Sequence, residues 1–280
     1  MVEDGTSHRT EEDRLNTDGK PNVEAVILAG AVNDGPLKDL SGEKYEALVP
    51  LAGKCMVQYV VDALQKAETI DGISVVGFPE FRERLSLKET RLVPAGKTFL
   101  DSVRMGLEVN SAAEHLFFIT GDVPMITGPV IDRFVQSSIE GEGEFSVPVV
   151  MRETSEARFP GVSRTYVKLR DGDVTLGNCF FGTEHSIRRV LPELEKMYHH
   201  RKSPLRMAST LGLGFIVRLL TRRAGIAHLE QMFQRVTGAE GHAVISPDPE
   251  LAADVDKPEQ LLTLEQFLRE EVPPQGGGLP

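Results

Sequence analysis

The sequence predicts an α/β fold organised around a parallel sheet, and three observations predict it. First, two apolar runs are nearly uninterrupted, Val23 to Ala29 (VEAVILA) and His115 to Thr120 (HLFFIT). Strands covered on both faces read this way. Second, each run ends at a glycine, Gly30 and Gly121. Third, segments with apolar residues at helical spacing alternate with strand-like runs over residues 23–140, and parallel strands need such crossover helices.

The elements follow in order. After the first strand, Met56 to Glu68 (MVQYVVDALQKAE) carries Val57, Val60, Val61 and Leu64 on one helical face. Ile73 to Gly77 is a second strand, Phe81 to Lys88 a helix, Arg91 to Pro94 a third strand and Thr98 to Asn110 a helix. His115 to Thr120 comes next. Thr127 reads as an N-cap, with Pro129 in the first turn of a helix through Phe134 and Val135. Beyond residue 144 the pattern changes. Phe145 to Met151 and Tyr166 to Leu169 read as strands, and Val174 to Phe181 returns from an Asp171-Gly172 turn. That is a hairpin-like insertion suited to covering a site. Residues 184–238 read as largely helical, with Pro192 and Pro204 as breaks; Ala243 to Ser246 is a late strand and Pro258 to Glu270 a final helix. Residues 1–21 are too polar to offset the entropy of ordering, and the end of the chain from 272 to 280 is rich in Pro and Gly. Both are expected to be disordered tails. One domain over 22–271 remains, with an α+β insertion at about 145–240.

Composition narrows the function. At 280 residues the chain has room for about two domains or one large α/β domain. With 42 acidic and 31 basic side chains its net charge is −11. That argues against a nucleic-acid surface, which needs a basic face. A local basic pocket for a small phosphorylated ligand is still allowed. No apolar run reaches the ~18 residues of a membrane span, and the N-terminus lacks the basic and apolar blocks of a signal peptide. Cys55 and Cys179 are too few for a disulfide framework or a zinc site. A soluble, cytoplasmic, thiol-reduced chain is expected.

Three loops can carry chemistry. Leu28-Ala29-Gly30 ends the first strand, where exposed amides can hold phosphate oxygens. Neither a G-x-G-x-x-G fingerprint nor a G-K-[ST] follows, so a plain turn explains this loop equally well. In Thr120-Gly121-Asp122-Val123-Pro124, Asp122 sits beyond the carboxyl end of a buried strand, where open α/β sheets bind ligands. A carboxylate there suits a nucleotide-borne Mg²⁺ or caps a turn. In Asp254-Val255-Asp256-Lys257-Pro258 the two carboxylates fall on one face if the segment is extended, and Pro258 opens a helix that an Asp could also cap.

The ordered set LAG, LVPLAGKCMVQYVVDAL, GDVP and DVDKPEQL resembles the nucleotidyltransferases of the molybdenum-cofactor guanylyltransferase-like (MobA-like NTP transferase) superfamily. Leu48 to Leu64 is similar to the same stretch of bacterial N-acetylglucosamine-1-phosphate uridylyltransferases. The resemblance covers residues 23–135 and 242–270. It implies a Rossmann-like, three-layer α/β/α fold with a mixed, mainly parallel sheet. It also implies that an acceptor phosphate attacks the α-phosphorus of a nucleoside triphosphate and that pyrophosphate leaves. By the same resemblance Leu28, Ala29, Gly30, Gly96, Ser102 and Gly121 would bind nucleotide. Asp122 would hold Mg²⁺ as the catalytic aspartate, and Asp256, assisted by Asp254, would be the second metal ligand. Clustered carboxylates near a phosphorylated acceptor are tolerable when a metal neutralises the centre and clamps the phosphate oxygens.

The chain departs from the family at one loop. Relatives follow LAG with a Gly-rich, Arg-containing loop; here AVNDGPLKDL has no Arg and adds Asp34 and Asp39. Relatives carry a Lys just before the segment matching Ala47-Leu48; here that position is Glu46, and Lys44, two residues upstream, is the candidate catalytic cation, with Lys38 as alternative. In the insertion, Arg152, Arg158, Arg164, Lys168 and Arg170 could bind an acidic or phosphorylated acceptor or form a solvated hairpin face. Lys168 is the candidate acceptor-binding cation, with Asn178, whose side chain could order the acceptor or satisfy a backbone group. Residues 201–223, basic at both ends and apolar between, suit a buried or interfacial helix or one lying on an acidic membrane. The seven histidines are scattered and read as surface residues. The function expected is a Mg²⁺-dependent nucleotidyltransferase acting on a nucleoside triphosphate and a phosphorylated small molecule, compatible with a homodimer. A nucleotide-sugar glycosyltransferase on a related fold would call for a D-x-D where Asp122-Val123-Pro124 stands. A nucleotide-binding module without catalysis is the reading that the altered 31–40 loop favours.

Overall fold

In the computed structural model, which describes residues 21–200 and 209–271, β1 (Val23–Leu28) is the axis of the sheet. The chain continues through α1 (Lys38–Ser41), the two-residue strands β2 (Pro50–Leu51) and β3 (Lys54–Cys55), α2 (Met56–Leu64), β4 (Gly72–Gly77), α3 (Phe81–Arg84) and β5 (Thr90–Pro94). Next come α4 (Phe99–Val109), β6 (His115–Thr120) and α5 (Gly128–Glu140). Strands β5, β4, β1 and β6 pair in parallel in that spatial order. Leu28 lies beside Val76 on one side and Thr120 on the other. The strand order therefore reverses between β1 and β6, and this is where such sheets open a crevice.

Side-chain alternation explains the continuous apolar runs. Ala25, Ile27, Phe117 and Ile119 pack with Val57, Val61 and Phe134, from α2 and α5. Val26, Leu28, Leu116 and Phe118 pack on the opposite face with Val103 and Leu107 of α4. Each such side chain contributes ~1.5–3 kcal/mol by leaving water, so both faces must be apolar.

The rest of the chain comprises β7 (Phe145–Met151), α6 (Arg152–Arg158), β8 (Val167–Leu169), β9 (Gly172–Leu176), β10 (Cys179–Gly182), α7 (Glu184–His200), α8 (Leu213–Leu220), α9 (Ile226–Thr237), β11 (Gly241–Ser246) and α10 (Pro258–Glu271). β10 runs antiparallel between β6 and β7, and β11 pairs in parallel with β7 from Phe145 to Val150. The opposite edge of β7 is shared: β10 faces Phe145 and Ser146, and β9 faces Val149 to Met151. β9 and β10 are thus one antiparallel run, as the reading of Val174 to Phe181 expects. It bulges where residues 177–180 face only Val147 and Pro148. Because β6 lies outside β10 and β8 lies outside β9, the β8–β9 hairpin continues the line of β6 beyond its carboxyl end. The insertion forms a wall beside the crevice.

The differences from the sequence reading have local causes. α3 stops at Arg84 instead of Lys88, because Leu85 turns extended to bury its side chain. The Ser86 amide then donates to Gln58 Oε1 (2.8 Å). Pro192 does not break α7; Ile187, Val190 and Leu191 before it and Leu194 after it hold the helix against the sheet. Residues 152–158, left unassigned in the sequence, form α6. The hairpin turn falls at Arg170-Asp171, one residue early, and Gly172 starts β9 with φ +133°. Thr127 occupies the N-cap position of α5 without a side-chain cap bond. His115 is not a surface residue but stacks on Phe181, ring centroids 5.0 Å apart. In α8, Phe215 is buried while Leu213, Val217 and Leu220 are exposed. The expected tails, Pro204 and the segment 201–208 lie outside the described residues, apart from residue 21, whose backbone joins a β-bridge. Among the described residues no helix is long and apolar enough to cross a membrane.

Candidate active site

Two backbone hydrogen bonds assemble the site. At the carboxyl ends of β1 and β6, the Gly121 amide donates to the Leu28 carbonyl (3.0 Å). The Val255 amide donates to the Asp122 carbonyl (3.0 Å). Val255 is buried, so its neighbours Asp254 and Asp256 project the other way, beside Asp122. Gln260, buried on α10, secures this loop: its Oε1 accepts from the Asp256 and Lys257 amides (2.9 Å each), and its Nε2 donates to the Ser163 carbonyl (2.9 Å).

The cluster is electrostatically strained. Asp122 Oδ1 accepts from Thr120 Oγ1 at 2.5 Å. Desolvation, then the charges of Asp254 and Asp256, push the Asp122 carboxyl up to about 7. Asp256 rises to about 6, from desolvation first and then Asp254. Glu46 is also raised, by burial and then by Asp256 and Asp34. Among the described residues one buried cation enters the cluster, while exposed Lys257 acts on Asp256 by its charge. Arg164, only 4% exposed, donates to Asp254 Oδ1 (2.5 Å) and to the Asp254 carbonyl (3.4 Å).

The side of the crevice around Gly30 and Gly96 is built by close approach. A Cβ on Gly30 would lie 2.8 Å from Ala95 Cβ and 3.3 Å from Ser102 Oγ. Ser102 Oγ accepts from the Gly96 amide (3.1 Å), joining the turn after β5 to α4. A Cβ on Gly96 would lie 2.6 Å from the Asp101 carbonyl carbon and 2.7 Å from the Ser102 amide nitrogen, atoms that cannot yield. Gly96→Ala is therefore expected to cost ~2 kcal/mol in urea unfolding. The displaced turn should also weaken nucleotide binding, readable by titration.

The structure thus brings together Leu28, Ala29, Gly30, Gly96 and Ser102 around one loop, and Gly121, Asp122, Asp254 and Asp256 around the next. Asn178 joins them: its carbonyl accepts from the Thr120 amide (3.0 Å) and its amide donates to the Leu251 carbonyl (2.8 Å). Lys44 does not join the carboxylates. It is 69% exposed, 3.7 Å from Glu80 and over the Tyr45 ring at 4.8 Å, on the β4 side of β1. Its loop turns Glu46 toward Asp256 instead. Lys168 is exposed on the hairpin wall opposite Asp173. Sequence reasoning missed Glu46, Gln260 and Thr120 as site members, and reached Arg164 only as one of several insertion cations for an acceptor, not as the partner of Asp254. Of the three missed, only Glu46 left a signal, as an acid where relatives carry Lys.

Residues 25–206 match the family model of the MobA-like NTP transferase domain. The chain belongs to this family. A solved structure described as a hypothetical transferase from Thermus thermophilus is 32% identical, with a TM-score of 0.76 over 86% of this chain and 99% of that one. The 2-C-methyl-D-erythritol 4-phosphate cytidylyltransferase of Trichodesmium erythraeum is 29% identical over 39% of this chain and 53% of its own length. The bifunctional protein GlmU of Symbiobacterium thermophilum is 26% identical over 45% of this chain and 27% of its own. The chain thus spans about half the length of the first of these curated relatives and about a quarter of the second.

For this MobA-like domain the donor set bears on the expected Mg²⁺. Among the described residues no three His, Cys, Asp or Glu side chains form a cage for a metal. Asp254 is committed to Arg164. Asp122 and Asp256 fit an ion that arrives with a triphosphate and keeps phosphate and water oxygens in its shell. Their raised carboxyls mark a place where added positive charge is favourable.

Proposed function

We propose that this MobA-like NTP transferase domain is a cytoplasmic, Mg²⁺-dependent nucleotidyltransferase. It moves a nucleoside monophosphate from a nucleoside triphosphate to the phosphate of a small acceptor and releases pyrophosphate. The observation that carries the reading is the Asp122–Val255 backbone bond, which holds Asp254 and Asp256 beside Asp122 at the crevice where the strand order reverses. CTP is the first nucleotide to test, because the relatives from Trichodesmium erythraeum and Prochlorococcus marinus are cytidylyltransferases.

In this reading the loop from Leu28 to Gly30 meets the triphosphate through the Gly30 amide, since the Ala29 amide already donates to the Val76 carbonyl (2.9 Å), and Gly30 allows the close approach. The Gly96–Ser102 turn holds the nucleoside end. Asp122 and Asp256 would hold Mg²⁺, which when bound neutralises the phosphate oxygens and stabilises charge developing on pyrophosphate. Arg164 pairs with Asp254 and fixes the loop that carries Asp256. Asn178 stands at the mouth, where its side chain can orient the acceptor.

The test is thermal stabilisation by CTP, UTP, GTP and ATP, with and without Mg²⁺, followed by pyrophosphate release with phosphorylated acceptors. A nucleotide at 100 times its Kd stabilises by ~2.7 kcal/mol, or roughly 5–10 °C for a domain of this size. One nucleotide standing out only with Mg²⁺, followed by pyrophosphate release, is the expected result. No shift with any nucleotide would overturn the reading. Binding without release would favour the non-catalytic module.

A further inference from the structure

A cavity of about 530 Å³ lies on the α4–α7–α9 side of the sheet. Three stacked ring pairs line it: Phe118 on Phe180 (4.8 Å between centroids), Phe180 on Phe145 (5.4 Å) and Phe145 on Phe233 (5.3 Å). Met197 of α7 and Met232 of α9 close it from above. Packing voids in proteins are rarely larger than a water molecule, whereas ligand pockets run to ~300–1,000 Å³. This space therefore has the size of a binding site.

Its two ends differ. One opens at Leu28, Thr120 and Asn178, the residues that border the carboxylate cluster. At this end two large apolar side chains stand in solvent, Phe99 at 49% and Leu176 at 56% exposure. Glu230 and His242 line it as well, and Glu230 Oε1 is already satisfied by the Ala243 amide (2.9 Å). Between Thr120 and Asn178 at the mouth and Thr237, Glu230 and His242 farther along, the lining is almost wholly apolar, so the occupant of this stretch is hydrocarbon. A nucleotide is too polar to enter.

Resting on the transferase reading, we infer that the acceptor is amphiphilic. It is a phosphomonoester whose head lies by Asp122 and Asn178 and whose medium-length apolar tail fills this cavity.

The test uses the full chain labelled with ¹³C-methyl methionine and titrated with butyl, hexyl and octyl phosphate. Each methylene entering the cavity should tighten binding roughly fourfold, so octyl phosphate should bind on the order of 10²-fold tighter than butyl phosphate. The Met197 and Met232 methyl resonances, assigned through Met→Leu variants, should move. Ala243→Phe, which fills the cavity from β11, should remove the chain-length gain while leaving the CTP response unchanged. Val236→Phe does the same from α9 if the first variant does not fold. Affinity independent of chain length, or a gain that survives both filled variants, overturns the inference. A normal CTP response beside a flat alkyl series sinks the tail site and leaves the transferase reading intact. A chain-length gain with no nucleotide response overturns the assignment of the tail to an acceptor.

Discussion

Asp122→Asn is expected to reduce nucleotide transfer by on the order of 10³-fold or more, because it removes the carboxylate we propose as a Mg²⁺ ligand. The same substitution should stabilise the nucleotide-free protein at alkaline pH. The Asp122 carboxyl sits at about 7, above its ordinary 3.8, so the fold prefers it neutral. Stability from a raised carboxyl is fully present below about pH 4 and is lost as the pH climbs through 7. A move from 3.8 to about 7 is worth at most ~4 kcal/mol, and partial exposure reduces this to about 2. Wild-type and variant should therefore melt together near pH 4, and the variant ~4–8 °C higher at pH 8. Saturating Mg²⁺ with nucleotide should close that gap by stabilising only the wild type. A variant that melts no higher at pH 8, or one that retains Mg²⁺-dependent turnover, would remove Asp122 from the centre of the site.

Arg164→Met should be the most destabilising single change at the site, at about 3 kcal/mol in urea unfolding. The guanidinium is almost wholly buried against Asp254. Removing it leaves a carboxylate facing Asp122 and Asp256 without its partner. Because Arg164 also lowers Asp256, its loss should raise that carboxyl further and weaken Mg²⁺ binding. Adding Asp254→Asn to Arg164→Met should recover most of the stability, since no stranded charge remains. A loss under ~1 kcal/mol, or no recovery in the double variant, would show that the pair does not organise the loop.

These two expectations stand on unequal amounts of sequence information. Asp122 is legible because it follows HLFFIT, a run so apolar that it must be a central strand, and carboxyl ends of central strands face the crevice. Asp254 and Asp256 are legible as a pair because i and i+2 share a face. Arg164 is legible only as one insertion cation among several, because nothing within several residues of it hints at burial. Its partner lies 90 residues away.

Local sequence by itself determined the parallel half of the sheet, its helices and the loops that carry Gly30, Gly96, Asp122 and Asp256. Apolar periodicity and glycine placement depend on neighbours a few residues away, and burial on both faces leaves such segments no alternative. Tertiary structure alone decided the rest. Antiparallel β10 separates β6 from β7, Pro192 stays inside a helix pinned at both sides, and Glu46 replaces Lys44 at the cluster. The apolar cavity opens beside Asn178 only because α7 and α9 stand off a floor of stacked rings. Each of these depends on which distant segments meet. The energies involved, burial of a ring or pairing of a charge, are carried by contacts that no local pattern encodes.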